Sequence, residues 1–228
     1  RLGYTDEEMT AAFLCGKSKK TGAPFDYFRN RIMFPIIDVS GNVIAFGGRV
    51  MDDSVPKYLN SSDTPVFKKS RNLFALNFAR TSCAEEMILC EGYMDVIAMH
   101  AAGFTNAVAT LGTALTSEQA RIMARYTKKV LISYDSDAAG QKAANRASGI
   151  LGEVGLDVRV LRLSGAKDPD EFLKKYGAEK FRAQLSGSKS KFDYNMDTIL
   201  ARHDIMLPDE KIKACAELSK MIAEIYSS

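Results

Sequence analysis

Six acidic residues follow short apolar runs of the sequence, where folding could gather them around a metal ion. They are Glu91, Asp95, Asp135, Asp137, Asp168 and Asp170. If the apolar runs form a parallel sheet, their carboxyl ends share one edge, and such sheets bind ligands at that edge. Carboxylates that converge repel one another unless a cation neutralises them, and their oxygens suit Mg²⁺ or Mn²⁺. The pattern therefore predicts a magnesium or manganese site.

Some of these acids also fit a purely structural role. Asp168 begins an Asp-Pro-Asp-Glu run, which is typical of a capped helix start, and Asp137 could cap the helix that follows it. Asp95 could lie on the exposed side of its helix. Glu91 fits a structural role least well, because a lone buried carboxylate is costly.

The stretch from Asp135 to Gly140 shares features with two other metal motifs, and the sequence argues against both. A calcium-binding EF-hand loop needs an oxygen ligand at its fifth position and Glu at its twelfth, where this chain has Ala139 and Arg146. A haloacid-dehalogenase phosphatase places its D-x-D pair after the first strand and before a Thr. Here the pair follows the third predicted strand and leads into Ala-Ala-Gly.

The elements that must position these acids alternate between short apolar runs and helical patterns. Strands are expected at 87–90, 107–110, 129–134 and 157–162, with helices near 94–102, 117–126 and 138–152. This alternation predicts a parallel sheet with helices on its faces. Gly112 and Thr113 lie between the second strand and its helix, where backbone amides and a helix N-terminus can hold a phosphate.

Residues 17–80 carry a local excess of positive charge. They contain eleven Lys or Arg residues against five Asp. Such a basic lobe suggests a polyanionic partner, although a solvated surface explains the charge equally well. The runs 31–37 and 42–48 flank Asp38-Val-Ser-Gly41, which predicts a β-hairpin. The Gly47-Gly48 pair predicts a bulge or the close approach of another group to the backbone.

Three regions are therefore expected, in a chain that is α/β in its centre and α+β overall. They are an α+β basic subdomain over 1–82, a parallel-sheet α/β catalytic subdomain over 83–186 and a small helical subdomain over 187–228. Residues 186–190 have the composition of a linker. A helical apolar face that includes Ile212 and Ile222 is expected to pack against the rest of the chain, with a docking surface for a missing downstream domain as the alternative.

The composition excludes several classes of protein. The 228 residues carry a net charge of only +3, and no apolar run approaches the ~20 residues that cross a bilayer, so no membrane partner is expected. The four cysteines form no C-x-x-C pair, which argues against a zinc ribbon and favours a reducing cytoplasm. The first residue is Arg1 rather than Met, so we expect a piece of a longer protein.

The chain resembles the TOPRIM domain of the bacterial (DnaG-type) primases in four ordered motifs. They are Glu91-Gly-Tyr-Met-Asp95, Leu111-Gly-Thr113, Tyr134-Asp-x-Asp-x-Ala-Gly140 and Asp168-Pro-Asp170. Upstream, three more stretches are similar to the primase segment entering the core and to its basic motifs. They are Asp26-Tyr-Phe-Arg-x-Arg-x-Met-Phe-Pro-Ile36, Phe46-Gly-Gly-Arg49 and Pro56-Lys-Tyr-Leu-Asn-Ser61. The resemblance runs from about residue 26 to residue 186.

This resemblance implies a primase, an RNA polymerase that makes short RNA primers on single-stranded DNA. It would act by metal-dependent nucleotidyl transfer from ribonucleoside triphosphates. The resemblance assigns catalysis to Glu91, Asp135 and Asp137, and the metal site to these three with Asp95, Asp168 and Asp170. It assigns nucleotide and template binding to Arg49, Lys57, Lys69, Asn60, Gly112 and Thr113.

The same resemblance implies partners and leaves rival functions open. Family primases carry an upstream zinc-binding domain and a downstream domain that binds the replicative helicase in the primosome, and we expect both to lie outside this chain. A TOPRIM nuclease would share the acids but cleave DNA. A non-catalytic nucleic-acid-binding module would need no acids clustered at the sheet edge.

Overall fold

An antiparallel sheet forms the N-terminal part of the molecule, in a computed structural model that describes residues 3–187 and 189–226. The chain begins with helix α1 (Asp6–Ala11) and a short antiparallel pair, β1 (Cys15–Lys17) and β2 (Pro24–Asp26). The antiparallel sheet follows and has three strands, β3 (Arg31–Ile37), β4 (Val43–Val50) and β5 (Tyr58–Asn60), with β4 in the centre.

The predicted hairpin is present between β3 and β4. Asp38 fixes its turn, because Asp38 Oδ1 accepts hydrogen bonds from the backbone N–H groups of Ser40 and Asn42, both at 2.9 Å. The two strands pair from Arg31 opposite Val50 onward, with a register shift at Ile36/Ile37. The basic region is therefore built on a sheet of its own.

A second, larger sheet fills the middle of the chain. A 3₁₀ turn (Lys69–Arg71) and helix α2 (Leu76–Ala79) lead into it. Its elements alternate as β6 (Met87–Cys90), α3 (Tyr93–Ala101), β7 (Ala107–Ala109), α4 (Ser117–Met123), β8 (Lys129–Ser133), α5 (Ala138–Glu153), β9 (Asp157–Val160) and α6 (Pro169–Ser186). The four strands run parallel in the spatial order β9-β8-β6-β7, which confirms the predicted parallel sheet.

Burial of the short strands on both faces explains their continuous apolar sequences. One core packs α4 and α5 against the sheet, with Met123 and Leu151 fully buried. The other packs α3 and α6 against the opposite set of side chains, with Met99 and Phe181 fully buried. Helices therefore cover both faces of the parallel sheet.

A third, small core joins the two sheets. It contains Ile36 and Ala45 from the antiparallel sheet, Phe67 from the connecting segment, and Tyr93 and Leu111 from the parallel-sheet region. The connecting segment also bonds to β7 itself, because the backbones of Phe74 and Ala109 form an isolated antiparallel bridge. The carboxyl edge of the parallel sheet consequently faces β4 and β5.

The chain ends in helices α7 (Lys191–Leu200) and α8 (Pro208–Tyr226), after a two-residue strand β10 (Lys189–Ser190) that pairs antiparallel with β9. The predicted linker therefore ends in a strand. Ile212 and Ile222 of α8 are 68% and 42% exposed, so the expectation that they pack within this chain is wrong. Across the two described stretches, no helix is both long and apolar enough to span a bilayer.

Candidate active site

A cavity of about 770 Å³ opens between the carboxyl edge of the parallel sheet and strands β4 and β5. Five of the predicted acids line it: Glu91, Asp95, Asp135, Asp168 and Asp170. Five predicted binding residues line it as well: Arg49, Lys57, Asn60, Gly112 and Thr113. The fold thus gathers into one cavity residues that lie more than 100 positions apart in the chain. Asp137 and Lys69 lie outside it.

Glu91 and Asp135 meet because their strands are neighbours. Glu91 follows β6 directly and Asp135 follows β8 by one residue, and these parallel strands pair Cys90 with Ser133. The backbone N–H of Asp135 donates to Glu91 Oε2 at 3.4 Å. Burial, followed by the nearby charges of Glu91 and Asp168, raises the pKa of Asp135 to about 6. These carboxylates therefore sit where negative charge is poorly compensated.

Asp95 lies on the inner side of α3 and is buried, so the exposed position considered from the sequence is wrong. Its Oδ2 accepts from the backbone N–H of Gly92 at 3.2 Å, which closes the first turn of the helix. Burial, followed by the charges of Asp168 and Asp135, raises the pKa of Asp95 to about 7. Asp95 thus belongs to the same acidic cluster.

Asp137 and Asp168 are both helix caps, as their sequence context allowed. Asp137 Oδ1 accepts from the Gly140 N–H at 2.7 Å at the start of α5. Asp168 Oδ1 accepts from the Glu171 N–H at 2.8 Å at the start of α6. Asp168 also lines the cavity. Asp137 does not line it, but its charge contributes to the raised pKa of Asp135, which does. Each of these two acids therefore caps a helix and also contributes negative charge to the acidic cluster.

Gly140 has a role that the sequence reading missed. A Cβ at this position would lie 2.2 Å from the backbone oxygen of Asp135. Only glycine allows the first turn of α5 to pack this closely on the loop that carries Asp135. The D-x-D-x-x-G spacing is the signal that could have identified this contact.

The basic side of the cavity comes mainly from β4 and the start of β5. Arg49 lies over the ring of Tyr58, with its guanidinium carbon 5.9 Å from the ring centre. Arg49 Nε is buried and has no hydrogen-bond partner within residues 3–187 and 189–226. Lys57, directly before β5, is exposed at the cavity.

Three further basic residues line the cavity and were not identified from the sequence: Arg146, Lys167 and Lys174. Arg146 on α5 shares a helical face with Ala143 and Ala147, which also line the cavity, so the i, i+3, i+4 spacing was the available signal. Lys167 forms an ion pair with Asp168 at 3.4 Å, and Lys174 forms one with Asp170 at 2.6 Å. They offset part of the acidic charge.

Lys69 lies on the 3₁₀ turn, away from the cavity lining. Its backbone N–H donates to Asp63 Oδ1 at 3.0 Å, and its carbonyl accepts from Gln119 Nε2 at 2.9 Å. Asn60, in contrast, lines the cavity, and both polar ends of its side chain contact protein. Its Oδ1 accepts from the Tyr93 hydroxyl and its Nδ2 donates to the Leu111 carbonyl.

The acidic cluster offers suitable ligands for a divalent cation. Every candidate ligand is a carboxylate oxygen, which Mg²⁺ and Mn²⁺ prefer. The raised pKa values of Asp95 and Asp135 reflect burial and repulsion that a bound cation would offset. Within the described residues, no three His, Cys, Asp or Glu side chains are already close enough to hold one ion.

Two known families match consecutive parts of the chain. The family described as "DNA primase catalytic core, N-terminal domain" matches residues 1–80, and the family described as "Toprim-like" matches residues 88–173. The chain is 45% identical over 224 residues to a DNA primase of Clostridium acetobutylicum, covering 98% of this chain and 37% of that protein. It is 51% identical over 181 residues to a DNA primase of Listeria monocytogenes, covering 78% and 29%. The chain therefore spans well under half the length of these relatives.

Solved structures match over most of the chain. A DNA primase domain from Pseudomonas aeruginosa is 39% identical with a TM-score of 0.82, covering 91% of this chain and 67% of that one. The Escherichia coli primase catalytic core is 35% identical with a TM-score of 0.81, covering 93% and 70%. A DnaG primase catalytic domain bound to single-stranded DNA is 34% identical with a TM-score of 0.80, covering 92% and 68%.

Proposed function

This chain belongs to the bacterial DnaG-type DNA primases, as part of their catalytic core, and we propose that it synthesises short RNA primers on single-stranded DNA. Divalent metal dependence is general in primases with a TOPRIM domain. The observation that carries the proposal is the single cavity in which five carboxylates face Arg49 and Lys57. Nucleotidyl transfer needs both kinds of group around one triphosphate.

The proposed reaction is an attack of a ribonucleotide 3′-hydroxyl on the α-phosphate of the next ribonucleoside triphosphate. A new phosphodiester bond forms, pyrophosphate leaves, and the hydroxyl proton passes to a base or to water. When bound, Mg²⁺ or Mn²⁺ would offset negative charge on the attacking and leaving oxygens. Glu91 and Asp135 would hold the cation together with Asp95, Asp168 and Asp170.

The remaining site residues would bind and orient the nucleotide. Arg49 suits a phosphate because it lines the cavity and its guanidinium can donate two parallel hydrogen bonds. Lys57 would add a point charge beside it. Gly112 and Thr113 lie before α4, where backbone N–H groups favour an anion. Asp137 remains a proposed catalytic and metal-site residue with Asp135, and its charge acts on Asp135.

The proposed partners are a single-stranded DNA template, ribonucleoside triphosphates and the RNA primer product. One matched primase structure is bound to single-stranded DNA, and the basic surface of residues 17–80, including Lys69, suits a phosphate backbone. We further propose that the replicative helicase binds the longer protein outside residues 1–228. We place the enzyme in the cytoplasm because bacterial replication occurs there, and the four free cysteines fit a reducing compartment.

The three regions 1–82, 83–186 and 187–228 remain our proposed division of labour. The first would carry phosphate and template contacts, the second the cation-binding acids, and the third a helical extension. A TOPRIM nuclease would share the acidic edge, but the primase-type N-terminal match over residues 1–80 favours primer synthesis.

A crystal soaked with Mn²⁺ and a ribonucleoside triphosphate tests this function. We expect anomalous scattering from manganese among Glu91, Asp135 and Asp168, with the triphosphate extending to Arg49 and Lys57. Manganese without nucleotide in the cavity would favour a nuclease. If an open, solvent-accessible site takes up neither, the proposal is wrong.

A further inference from the structure

We propose that Asn60 and Tyr93 form a positioning latch that sets the distance between the cation-binding acids and the phosphate-binding bases. This inference rests on the proposed function. It assigns neither residue a contact with the reacting atoms, and it makes Asn60 a positioning residue rather than a nucleotide ligand.

Asn60 connects three parts of the site through one side chain. Its Oδ1 accepts from the Tyr93 hydroxyl at 2.7 Å, and its Nδ2 donates to the backbone carbonyl of Leu111 at 3.1 Å. Asn60 ends β5, Tyr93 begins α3, and Leu111 ends the segment before Gly112. The Asn60 amide therefore links the antiparallel sheet to the start of α3 and to the segment that follows β7, both at the edge of the parallel sheet.

Two glycines provide the space that these contacts need. Gly47 pairs with Asn60 across β4 and β5, and a Cβ on Gly47 would lie 2.5 Å from Tyr93 Cε2. A Cβ on Gly112, whose φ is +73°, would lie 2.3 Å from Asn60 Nδ2. Gly47, the first of the glycine pair expected to give a bulge or a close approach, therefore allows a close approach of the Tyr93 ring. A side chain at Gly47 would clash with that ring, and one at Gly112 would displace the Asn60 amide.

Packing holds the Tyr93 ring in place independently of its hydroxyl. Tyr93 is 5% exposed, and its ring centre lies 4.6 Å from that of Phe74 and 5.8 Å from that of Phe34. These rings come from the connecting segment and from β3. The hydroxyl is consequently aimed at Asn60 by a rigid aromatic cluster.

The latch lies directly between the two sets of functional side chains. Tyr93 is two residues after Glu91 and two before Asp95, on the acidic side. Asn60 is three residues after Lys57, and the strand it ends pairs Tyr58 with Arg49 on the basic side. A small rotation between the sheets would separate a cation on the acids from phosphates on the bases. A displacement of about 1 Å in such a site can cost on the order of a hundredfold in rate.

The test compares Tyr93→Phe, which removes only the hydroxyl, with Asn60→Ala, which removes both the hydrogen bond from that hydroxyl and the one to the Leu111 carbonyl. We expect each to lower kcat for primer synthesis by roughly tenfold or more, as for a misaligned site. Mn²⁺ affinity measured without nucleotide should stay within about twofold of wild type, since the acids are untouched. A purely structural defect would instead weaken metal binding in step with stability.

The double variant provides the decisive comparison. If the two residues act as one unit, Tyr93→Phe with Asn60→Ala should lose no more activity than the more impaired single variant. Independent, multiplicative losses would overturn the latch. Tyr126→Phe is the matched control, because Tyr126 is half-buried against the core of the parallel sheet and remote from the cavity. It should retain wild-type kcat.

The outcomes separate this inference from the proposed function. If wild type makes no primer and binds no Mn²⁺-nucleotide complex, both proposals fall. If wild type is active and Tyr93→Phe matches it in kcat, only the latch falls. Should Tyr93→Phe not fold, Asn60→Ala alone decides, because Asn60 lies at a strand end and is only partly buried.

Discussion

Single carboxylates at the cavity combine two opposing effects, since the charge that binds a cation also repels its neighbours. Asp135 shows this most clearly, because burial and the charges of Glu91, Asp168 and Asp137 all raise its pKa. The acids were identifiable from the sequence as residues that follow strands. The sequence also predicted that these acids repel one another. In the structure, neighbouring carboxylates raise the pKa of Asp135 and of Asp95.

We predict that Asp135→Asn abolishes Mn²⁺ binding and primer synthesis without unfolding the protein. Removing one of several repelling charges should leave the metal-free variant at least as stable as wild type at pH 8. Isothermal titration with Mn²⁺ and thermal unfolding measure the two effects. Asp157→Asn, on the exposed start of β9, is the matched control and should bind Mn²⁺ normally. Equal Mn²⁺ affinity in the Asp135 variant would contradict the assignment.

Lys57 and Lys69 should respond differently to the same substitution, because only Lys57 lines the cavity. Loss of a charge-assisted contact costs about 1.5–3 kcal/mol, so Lys57→Ala should raise the KM for the nucleotide roughly tenfold to hundredfold. Lys69→Ala should leave that KM unchanged. It should reduce the slope of log K against log salt concentration, for single-stranded DNA binding, by about 0.7 in magnitude. Steady-state kinetics and a salt titration measure these values. Identical behaviour of both variants would refute the distinction.

Elements of this fold are joined by a few buried polar side chains as well as by apolar packing. Gln119 on α4 is fully buried, and its Nε2 donates to the carbonyls of Lys69 and Asn72 at 2.9 and 2.8 Å. Its Oε1 accepts from the Thr116 N–H at 3.0 Å in a capping box. This one residue both starts α4 and anchors the 3₁₀ turn.

Gln119→Leu, which keeps the volume and removes the polar atoms, should therefore destabilise the protein by about 2–4 kcal/mol. Two backbone carbonyls would lose their donor, and the helix would lose the Gln119 half of its capping box. Urea unfolding followed by circular dichroism gives the free energy of unfolding. Glu118→Gln, at the exposed neighbouring position, should change it by less than about 0.5 kcal/mol. A Leu variant as stable as wild type would show that water replaces these contacts.

The C-terminal helices meet around His203. Its Nδ1 lies 2.8 Å from Glu210 Oε2 and its Nε2 lies 3.2 Å from Glu217 Oε1. Glu210 also pairs with Lys213 at 2.7 Å, and Glu217 with Arg202 at 3.7 Å. The hydrogen bond to Glu210, followed by that to Glu217, raises the pKa of His203.

A raised histidine pKa fixes the sign of the pH dependence. The imidazolium stabilises the α7–α8 contact fully below the ordinary value of about 6.5 and loses this contribution as pH rises through the raised folded-state pKa. We predict faster amide hydrogen exchange in α8 at pH 8.5 than at pH 6, after correction for intrinsic rates. His203→Gln should remove this difference. Nuclear magnetic resonance titration of the imidazole can measure the His203 pKa directly.

At the scale of the whole molecule, the antiparallel sheet and the parallel sheet, which come from different parts of the chain, together form one cavity. Among the described residues, their shared core contains five buried residues with Phe34, Ile44 and Phe74 packed against them, which is small beside the two cores of the parallel sheet. A ligand that bridges the acids and the bases should therefore stabilise both sheets together.

We accordingly predict that Mn²⁺ with a ribonucleoside triphosphate raises the unfolding temperature of wild type but not of Asp135→Asn. Ligand at a hundredfold excess over its Kd stabilises the folded state by about 2.7 kcal/mol. Hydrogen exchange should slow in both β5 and α3 when the complex forms. Protection confined to α3 would mean that the nucleotide does not reach the basic side.

The sequence by itself determined the local features of this protein. The alternating apolar runs predicted the parallel sheet and its helices to within a few residues, because burial on both faces requires continuous apolar strands. The turn residues around Asp38 predicted the hairpin. The order of the acidic and glycine motifs resembled the family to which the chain belongs.

Tertiary structure alone decided which of these residues act together. Lys57 and Lys69 belong to the same basic region of the sequence, yet only Lys57 faces the acids. Asp95 and Ile212 each lie on a predicted helical face, yet Asp95 is buried and Ile212 exposed. Asn60 was predicted to bind nucleotide or template, and the structure adds that its amide lies between Tyr93 and Leu111. The physical reason is that periodicity and capping depend on near neighbours, whereas burial, charge coupling and side-chain hydrogen bonds depend on residues brought together from distant parts of the chain.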